Sequence, residues 1–301
     1  MIDIIIPAYN AHDTICNTLI SICIQSISSI VNVYIVNDAS STDYTNIVNL
    51  FKDRINIKEI KLFNNSGPGI ARQKGIESSN SEYILFLDSD DLLYNIFSLE
   101  KLYNEINNCD IVVGGIIDEK KDSISYYSEH MGCLHSKLYR RSFIEKYDIK
   151  FNDTRSSEDH SFNRLVLLAE PRIRYIDEPL YVYKYNNNSI TERSNKLDDI
   201  RLYIYNMEWV VEQAETRNFN KYLIAEFIFS SIMYIYTVYV DNINNIDIYK
   251  ILDWIKKLVL FNDKYEIELT DSNKFDIYNS FKFSSIPKIS LNEFINRVKN
   301  R

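Results

Sequence analysis

Three acidic side chains lie together where an apolar stretch of the chain ends. Asp88, Asp90 and Asp91 follow directly on residues 83–87, which read Tyr-Ile-Leu-Phe-Leu. Two carboxylates one residue apart at the end of an extended segment can bind one divalent cation, and oxygen ligands suit Mg²⁺ or Mn²⁺. Such sites usually complete the coordination shell with substrate phosphates. The spacing therefore predicts a metal held by Asp88 and Asp90, although acidic triplets in solvated turns show the same spacing.

A second acidic pair, Glu158 and Asp159, precedes residues with helical character. Serine followed by acids is a common start of an α-helix, because the serine oxygen can accept a hydrogen bond from a free backbone N–H group. The residues alone therefore predict a helix over 158–169 that Ser156 or Ser157 caps. A cap and a functional carboxylate are compatible, since Asp159 can project from such a helix start into a cleft.

Two histidines and two arginines are weaker candidates for functional residues than these acids. His135 and His160 could be polar residues of the same cleft, although a single histidine is more often structural or exposed. Arg140 and Arg141 are adjacent to each other, and this pattern predicts a solvated helix start.

The first 115 residues alternate between short apolar runs and stretches with helical periodicity. The strand-like runs are 2–7, 31–37, 55–63, 83–88 and 110–116. The helical stretches between them are 12–26, 43–53, 67–79 and 96–107. This alternation predicts βαβ units and a mostly parallel sheet. A continuous apolar run such as 83–87 is typical of a parallel strand that helices cover on both faces.

Polar or turn-forming residues follow each of the first four strands, at the edge of the sheet where α/β proteins bind ligands. Tyr9 can stack on a base, Asp38 can bind a base or ribose, and Arg72 can pair with a diphosphate. With a metal at Asp88, this set suits a nucleotide diphosphate. Taken singly, Asp38 and Asp43 can equally be turn and helix-capping residues.

Four segments resemble, in order and spacing, the nucleotide-binding half of family 2 glycosyltransferases with the GT-A fold. They are PAYN at 7–10, VNDASSTD at 36–43, NNSGPGIARQKGI at 64–76 and EYILFLDSDD at 82–91. The acceptor-side half is similar in HSKLYRRSFI at 135–144, IKFNDTRSSEDHSFNRLVL at 149–167 and YVYKYNNNSIT at 181–191. The resemblance therefore covers residues 1–191, and its motifs are specific in combination.

The resemblance implies the GT-A fold, an α/β architecture with a Rossmann-like, mostly parallel sheet flanked by helices. It implies a glycosyltransferase domain at 1–191, with nucleotide-sugar and metal binding in 1–115 and the acceptor side in 116–191. The pattern of the remaining residues predicts a helical C-terminal domain over 192–301.

The resemblance also implies an inverting, metal-dependent transferase in which Asp159 is the catalytic base. Inversion needs one carboxylate to take the proton of the attacking acceptor hydroxyl. The implied metal, Mn²⁺ or Mg²⁺, binds Asp88 and Asp90. The residues implied to contact the nucleotide sugar are Pro7, Ala8, Tyr9, Asn10, Asp38, Gly69, Arg72, Asp88 and Ser89. The candidates for contacts with the sugar or acceptor are Asp91, His135, Glu158 and His160.

A few positions depart from the family pattern. Asn37 stands where an aspartate is usual, Ala39 where glycine is usual, and Gln73 where asparagine is usual. Lys184 and residues 186–188, all asparagine, lie where many members carry arginine or histidine. These last departures leave open whether a third protein ligand binds the metal.

The family most often uses uridine nucleotides, so a UDP-sugar is the expected donor for hexosyl or N-acetylhexosaminyl transfer. The expected acceptor is a hydroxyl group on a glycan, a cell-surface polymer or another biopolymer. The alternative is a non-catalytic nucleotide-sugar-binding or assembly subunit that keeps the fold. The joint presence of both acidic motifs favours the enzyme, and the basic glycine-rich loop expected of a nucleotidyltransferase is absent from the N-terminal region.

The net charge and the cysteines indicate which partners and which cellular compartment to expect. The net charge is −8, which argues against a nucleic-acid partner. The four cysteines form no Cys-x-x-Cys pair, and this pattern is typical of reduced thiols in a cytoplasmic protein. The first residues lack a basic region and a long apolar run, so no signal peptide is expected.

The C-terminal region holds one apolar run at 222–240 and two amphipathic helical runs, at 197–215 and 248–261. The first has a single charged residue and is long enough for a membrane span, but its tyrosines and hydroxyl residues favour a buried helix. Helices of this kind could support a homo-oligomer or peripheral contact with the inner face of the membrane.

Overall fold

The protein is described by a computed structural model that covers residues 1–120, 123–128, 131–186 and 196–239. The chain divides into two compact units, Met1–Ser194 and Asn195–Arg301. The helix predicted at 248–261 and two asparagines of the 186–188 run lie outside the described residues.

Nine strands of the described residues form one sheet in the first unit. They are β1 (Ile2–Ala8), β2 (Val31–Asn37), β3 (Asn56–Lys61), β4 (Tyr83–Phe86), β5 (Leu92–Leu93), β6 (Ile111–Lys120), β7 (Ser123–Tyr127), β8 (Lys137–Arg140) and β9 (Ile173–Tyr183). Their order is β3-β2-β1-β4-β8-β6-β9-β5, and β7 pairs with β6 outside this path.

The sheet is parallel in one half and mixed in the other. Strands β3, β2, β1 and β4 pair in parallel, as the alternation of the sequence predicts. Strand β8 then pairs antiparallel with both β4 and β6, so it separates the fourth predicted strand from the fifth. This antiparallel insertion brings the residues that precede β8 to the edge where β4 ends.

Helices alternate with the strands as predicted. They are α1 (Ile15–Cys23), α2 (Thr45–Phe51), α3 (Pro68–Glu77), α4 (Ser98–Glu105), α5 (Arg141–Lys146) and α6 (Glu158–Leu168), with a 3₁₀ turn at Ser28–Ile30. Helix α3 starts on Pro68, whose fixed backbone angle and missing N–H group suit the first helical position.

Strand β1 is covered on both faces. Ile4 and Ile6 belong to the same buried cluster as Leu19 of α1. Ile5 faces the other side, where its side chain lies so close to Gly75 of α3 that a Cβ atom there would collide with it. This double cover explains the continuous apolar run of the strand.

Arg141 is buried, which corrects the prediction of a solvated helix start at this residue. Its Nη2 lies 3.0 Å from Oδ2 of Asp3, and its Nε donates to the Ser81 carbonyl at 2.6 Å. The Ser81 N–H donates to Asp3 at 2.6 Å. Burial acts to raise the pKa of Asp3, but hydrogen bonds from Ser81 and Asn32 outweigh it, so the pKa is lowered. This cluster joins the starts of β1 and β4 to α5.

We expect Asp3→Asn to lower the free energy of unfolding by about 3–5 kcal/mol, because it leaves the buried Arg141 guanidinium without its counter-charge. Urea unfolding followed by circular dichroism measures the effect. Glu82→Gln is the matched control, since Glu82 forms a 2.9 Å ion pair with Arg140 at the surface and should change the urea midpoint little. Equal shifts for the two variants would contradict the assignment of Asp3 to the core.

The described part of the second unit is a pair of helices, α7 (Lys196–Thr216) and α8 (Lys221–Tyr239). The rings of Tyr203 and Tyr234 lie 4.9 Å apart between their centroids and join the two helices. Helix α8 corresponds to the run predicted at 222–240. Among the described helices, none combines the length and apolar character that a membrane crossing requires.

Candidate active site

The acidic loop after β4 and His135 form one cluster. The Asp88 Oδ2 atom lies 3.4 Å from His135 Nε2, and the Asp91 Oδ2 atom lies 3.8 Å from the same nitrogen. One ligand atom from each of these three residues lies within 4.8 Å of the others, which is the spacing of groups that can share a metal ion. His135 reaches this place because β8 is antiparallel to β4, with Leu138 opposite Leu85.

Arg72 joins this cluster to the second acidic motif. Its Nη2 lies 2.6 Å from Oδ1 of Asp88, and its Nη1 lies 2.7 Å from Oε1 of Glu158. Gly69 allows α3 to approach closely, because a Cβ atom there would lie 2.7 Å from Cγ of Glu158. Two motifs that are 70 residues apart in sequence therefore share one buried guanidinium.

The carboxylates around this cation differ in their acidity. Burial acts to raise the pKa of Asp88, but the charge of Arg72 outweighs it, so the pKa lies well below the usual range. Burial raises the pKa of Glu158, and the neighbouring charge of Asp159 adds to the effect. Burial lowers the pKa of Arg72, but three carboxylates, Asp159 among them, together raise it. Arg72 therefore stays charged within reach of both acidic motifs.

Asp91 connects the end of β9 to the acidic loop through hydrogen bonds. It is 1 % exposed, and its Oδ2 accepts a hydrogen bond from Tyr181 at 2.6 Å. The backbone N–H of Lys184 donates to its Oδ1 at 2.8 Å. The Lys184 side chain forms an ion pair with Glu119 of β6. Burial raises the pKa of Asp91 well above the usual value of a carboxyl group.

Asp90 points to a different partner from its two neighbours. Its Oδ2 accepts a hydrogen bond from Nδ2 of Asn186 at 2.7 Å. Both residues line a pocket of about 670 Å³, together with Lys184 and several side chains of α1. Asp90 therefore faces a cavity, whereas Asp91 and His135 are the residues whose donor atoms cluster with Asp88.

On the nucleotide side, Asp38 organises two loops. Its carboxylate accepts hydrogen bonds from the backbone N–H groups of Ser66 at 2.7 Å and Gly67 at 2.8 Å. These contacts support the interpretation of Asp38 as a turn residue and connect the loop after β2 to the loop before α3. Ala39 adopts a left-handed backbone with φ of 57°, which explains why glycine would be favourable at this position.

Tyr9 and Asn10 lie on the exposed loop after β1. Tyr9 is 54 % exposed, so its ring can stack on a planar group. Asn10 is held in place because its N–H donates to Ser40 Oγ at 2.9 Å and its Oδ1 accepts from the Ser41 N–H at 2.9 Å. Asp43 accepts from the Thr45 N–H at 3.1 Å, so it is a turn residue at the start of α2.

Helix α6 begins at the second acidic motif. Asp159 is its second residue and is partly exposed, as is His160. Ser157 precedes the helix with a left-handed φ of 61° and makes no side-chain capping bond, so the prediction that it caps through its hydroxyl is wrong. Its carbonyl instead accepts from the Ser161 N–H at 3.1 Å.

The predicted site residues thus fall into two groups. Arg72, Asp88, Asp91, His135 and Glu158 contact one another around the buried cluster. The remaining predicted residues line the surrounding loops and element ends: Pro7, Ala8, Tyr9, Asn10, Asp38, Gly69, Ser89, Asp90, Asp159 and His160. Tyr181 and Lys184, which hydrogen-bond to Asp91, were not among the predicted site residues; the alternating tyrosines of YVYKY were the local signal for Tyr181.

The profile of the family described as glycosyl transferase family 2 matches residues 3–166, which is more than half of the 301 residues. This chain belongs to that family. The GT-A fold class is confirmed by the likeness to the crystal structure of Staphylococcus aureus TarS 1–349 in complex with UDP-GlcNAc. The TM-score is 0.71 at 19 % identity, covering 86 % of this chain and 81 % of that one.

Two sequence relatives are informative. The uncharacterised glycosyltransferase EpsJ of Bacillus subtilis is 28 % identical over 64 % of this chain and 63 % of its own length. The poly(ribitol-phosphate) β-N-acetylglucosaminyltransferase TarP of Staphylococcus aureus is 30 % identical over 54 % of this chain and 55 % of its own length. The chain therefore spans less than two thirds of either relative.

Proposed function

We propose that this protein is an inverting, metal-dependent glycosyltransferase that moves a sugar from a UDP-linked donor to an acceptor hydroxyl. The observation that carries the proposal is the Arg72 bridge, which brings the Asp88 motif and the Glu158–Asp159 motif into one site. Family membership and the UDP-GlcNAc complex of TarS support this choice of donor.

The residues of the cluster fit a divalent cation. Asp88 keeps Oδ2 directed toward His135, and Asp91 adds a second carboxylate, so one imidazole and two carboxylates face a common point. Asp90 is the ligand that the sequence pattern predicts beside Asp88. Mn²⁺ or Mg²⁺ bound here would supply positive charge to the leaving diphosphate.

In the proposed reaction, the Asp159 carboxylate takes the proton of the acceptor hydroxyl as its oxygen attacks the anomeric carbon. The new C–O bond forms on the face opposite the breaking bond to the diphosphate, so the configuration inverts. Asp159 holds the proton afterwards, and the electron pair of the broken bond leaves with UDP. One base is sufficient, because no covalent intermediate is formed.

Arg72 and the loops would position the donor. The Arg72 guanidinium is buried and charged at the Asp88 end of the site, where it favours a negative leaving group. Exposed Tyr9 would stack on the base, and the loops that Asp38 connects would frame it. Glu158 would keep Arg72 oriented through its 2.7 Å ion pair.

The donor sugar of the proposal is a hexose or an N-acetylhexosamine, and the acceptor is a glycan or cell-surface polymer. The UDP-GlcNAc complex of TarS makes UDP-GlcNAc the first donor to test, and the name of TarP makes poly(ribitol phosphate) the first acceptor to test. We propose a cytoplasmic location, at the inner face of the membrane if the acceptor is membrane-linked.

Titration calorimetry with UDP tests the proposal first. We expect binding in the presence of Mn²⁺ that is lost after addition of EDTA, because the diphosphate and the carboxylates need a shared cation. GDP and CDP are the matched control nucleotides. Tighter binding of GDP or CDP would leave the fold assignment intact but change the proposed donor. Absence of binding of any nucleotide would favour a non-catalytic assembly subunit.

A further inference from the structure

Two chain segments that carry different parts of the site lie against each other. The first, residues 151–157, leads into α6 and is called the pre-α6 segment; Asp159 follows it as the second residue of that helix. The second, residues 64–67, leads into α3 and is called the nucleotide loop, because Asp38 binds two of its N–H groups. A contact between them joins the proposed base to the nucleotide side of the site.

The start of the pre-α6 segment packs directly on α3. A Cβ atom at Gly69 would lie 2.8 Å from the backbone oxygen of Asn152 and 2.7 Å from Cγ of Glu158, so no side chain fits between them. One turn further along α3, Oε1 of Gln73 accepts a hydrogen bond from the N–H group of Phe151 at 3.2 Å. These contacts fix the start of the segment and the first residue of α6 against α3.

Arg155 connects the later part of the segment to the nucleotide loop. Its Nη2 donates a hydrogen bond to the backbone carbonyl of Asn65 at 3.1 Å. Its Cγ lies beside Gly67, where an added Cβ atom would be 3.5 Å away. Gly67 has a φ of 89°, a backbone conformation that few other residues adopt, and its N–H group is bound by Asp38. The same glycine is therefore contacted by Asp38 and by Arg155.

The connection from Arg155 to the proposed base is short and bent. Arg155 lies four residues before Asp159. Between them, the Thr154 hydroxyl donates to the backbone carbonyl of Ser156 at 3.2 Å, and Ser157 has a left-handed φ of 61°. A serine keeps such a backbone only where the surrounding contacts enforce it. The start of α6 therefore depends on the contacts of the pre-α6 segment, and that of Arg155 reaches the nucleotide loop.

We propose that Arg155 is a positioning residue that connects the pre-α6 segment to the nucleotide loop, so that binding of the donor nucleotide sets the place of Asp159. The inference rests on the proposed function, in which the nucleotide loop frames the donor and Asp159 is the base. Arg155 acts on the reaction through Asp159. Its role differs from that of buried Arg72, which favours the negative charge of the leaving group.

Hydrogen exchange followed by mass spectrometry, with and without UDP and Mn²⁺, tests this connection. In the wild-type protein, we expect UDP to slow exchange in peptides that cover the nucleotide loop and in peptides that cover residues 152–160. In Arg155→Met, the first protection should remain and the second should be largely lost, because methionine keeps the stem beside Gly67 but cannot donate a hydrogen bond. Arg174→Met is the matched control and should keep both, since Arg174 forms a 3.0 Å ion pair with Glu105 at the surface.

Transfer assays give a second, independent readout. We expect Arg155→Met to lower kcat by roughly 2–10-fold, which is the range expected for one hydrogen bond that positions a reacting group. The UDP affinity and the KM for the donor should stay within about twofold, because the contacts of Asp38 are unchanged. Arg155→Lys can donate to the same carbonyl and should recover most of kcat. In an Asp159→Asn background, Arg155→Met should cause no further loss, since its effect passes through the removed carboxylate.

The outcomes separate this inference from the proposed function. If UDP binds the wild-type protein but does not slow exchange at 152–160, or slows it equally in Arg155→Met, the role of Arg155 is wrong and the transferase remains. A loss of UDP affinity of about tenfold or more in folded Arg155→Met would make Arg155 a donor ligand and would also overturn the inference. Absence of UDP binding by the wild-type protein would count against the proposed function, and this inference would fail with it.

Discussion

Asp159→Asn is expected to lower the rate of sugar transfer by about 10²–10⁴-fold and to leave the affinity for UDP within about twofold of the wild type. A positioned general base contributes about this factor, and an amide cannot take the proton. UDP affinity should persist because Arg72, Asp88 and the loops that Asp38 connects are unchanged. Transfer from radiolabelled UDP-sugar and calorimetry with UDP measure the two quantities.

Asp153→Asn is the matched control for this experiment. Asp153 is an exposed acid in the segment that leads into α6, six residues before Asp159. Its replacement removes the same charge but should leave transfer unchanged. If Asp159→Asn instead lost UDP binding in a folded protein, Asp159 would belong to the donor site and another group would be the base.

The geometry gives a physical reason for choosing Asp159 over Glu158. Glu158 is buried and its carboxylate is bound to Arg72, so it is poorly placed to receive a proton from a substrate. Asp159 is the next residue of the same helix and is partly exposed. The two adjacent acids therefore have different tasks: one orients the buried guanidinium, and the other can face the acceptor.

Local sequence patterns predicted the elements that position the site. The β-branched run at 31–37 coincides with β2, because side chains buried on both faces leave a continuous signal. The run at 55–63 is longer than β3, which ends at Lys61, since Phe63 is fully exposed despite its apolar side chain. An apolar run therefore predicts that a strand is present more reliably than it predicts where that strand ends.

Two of the missed features depend on partners that are distant in sequence. Arg141 is buried because Asp3 lies beside it in space, although the two are 138 residues apart. Tyr181 holds Asp91 across 90 residues. Neither side chain carries a local sign of its partner, because the antiparallel insertion of β8 and the approach of β9 bring these pairs together.

Asp88→Asn is the second change with a large expected effect. We expect the Mn²⁺-dependent affinity for UDP to fall by about 100-fold or more and transfer to be lost with it, because an amide is a weak ligand for a hard cation. Calorimetry with UDP and Mn²⁺ measures the affinity. Asp43→Asn is the control, since Asp43 is an acid of a neighbouring loop that pairs with Lys61 at the surface. Unchanged UDP affinity in Asp88→Asn would contradict a metal at this motif.

Comparison of Asp90→Asn with His135→Asn then decides which residues complete the metal site. The spacing in the sequence pairs Asp88 with Asp90, whereas the geometry groups Asp88 with Asp91 and His135. If the first set holds the cation, Asp90→Asn should weaken Mn²⁺-dependent binding about as much as Asp88→Asn, and His135→Asn should have a small effect. If the second set holds it, the order reverses, because Asp90 would then contribute only its hydrogen bond to Asn186 beside the pocket. If both variants had equally small effects, neither set of ligands would be correct. The metal would then be held by Asp88 and by oxygen atoms of the substrate.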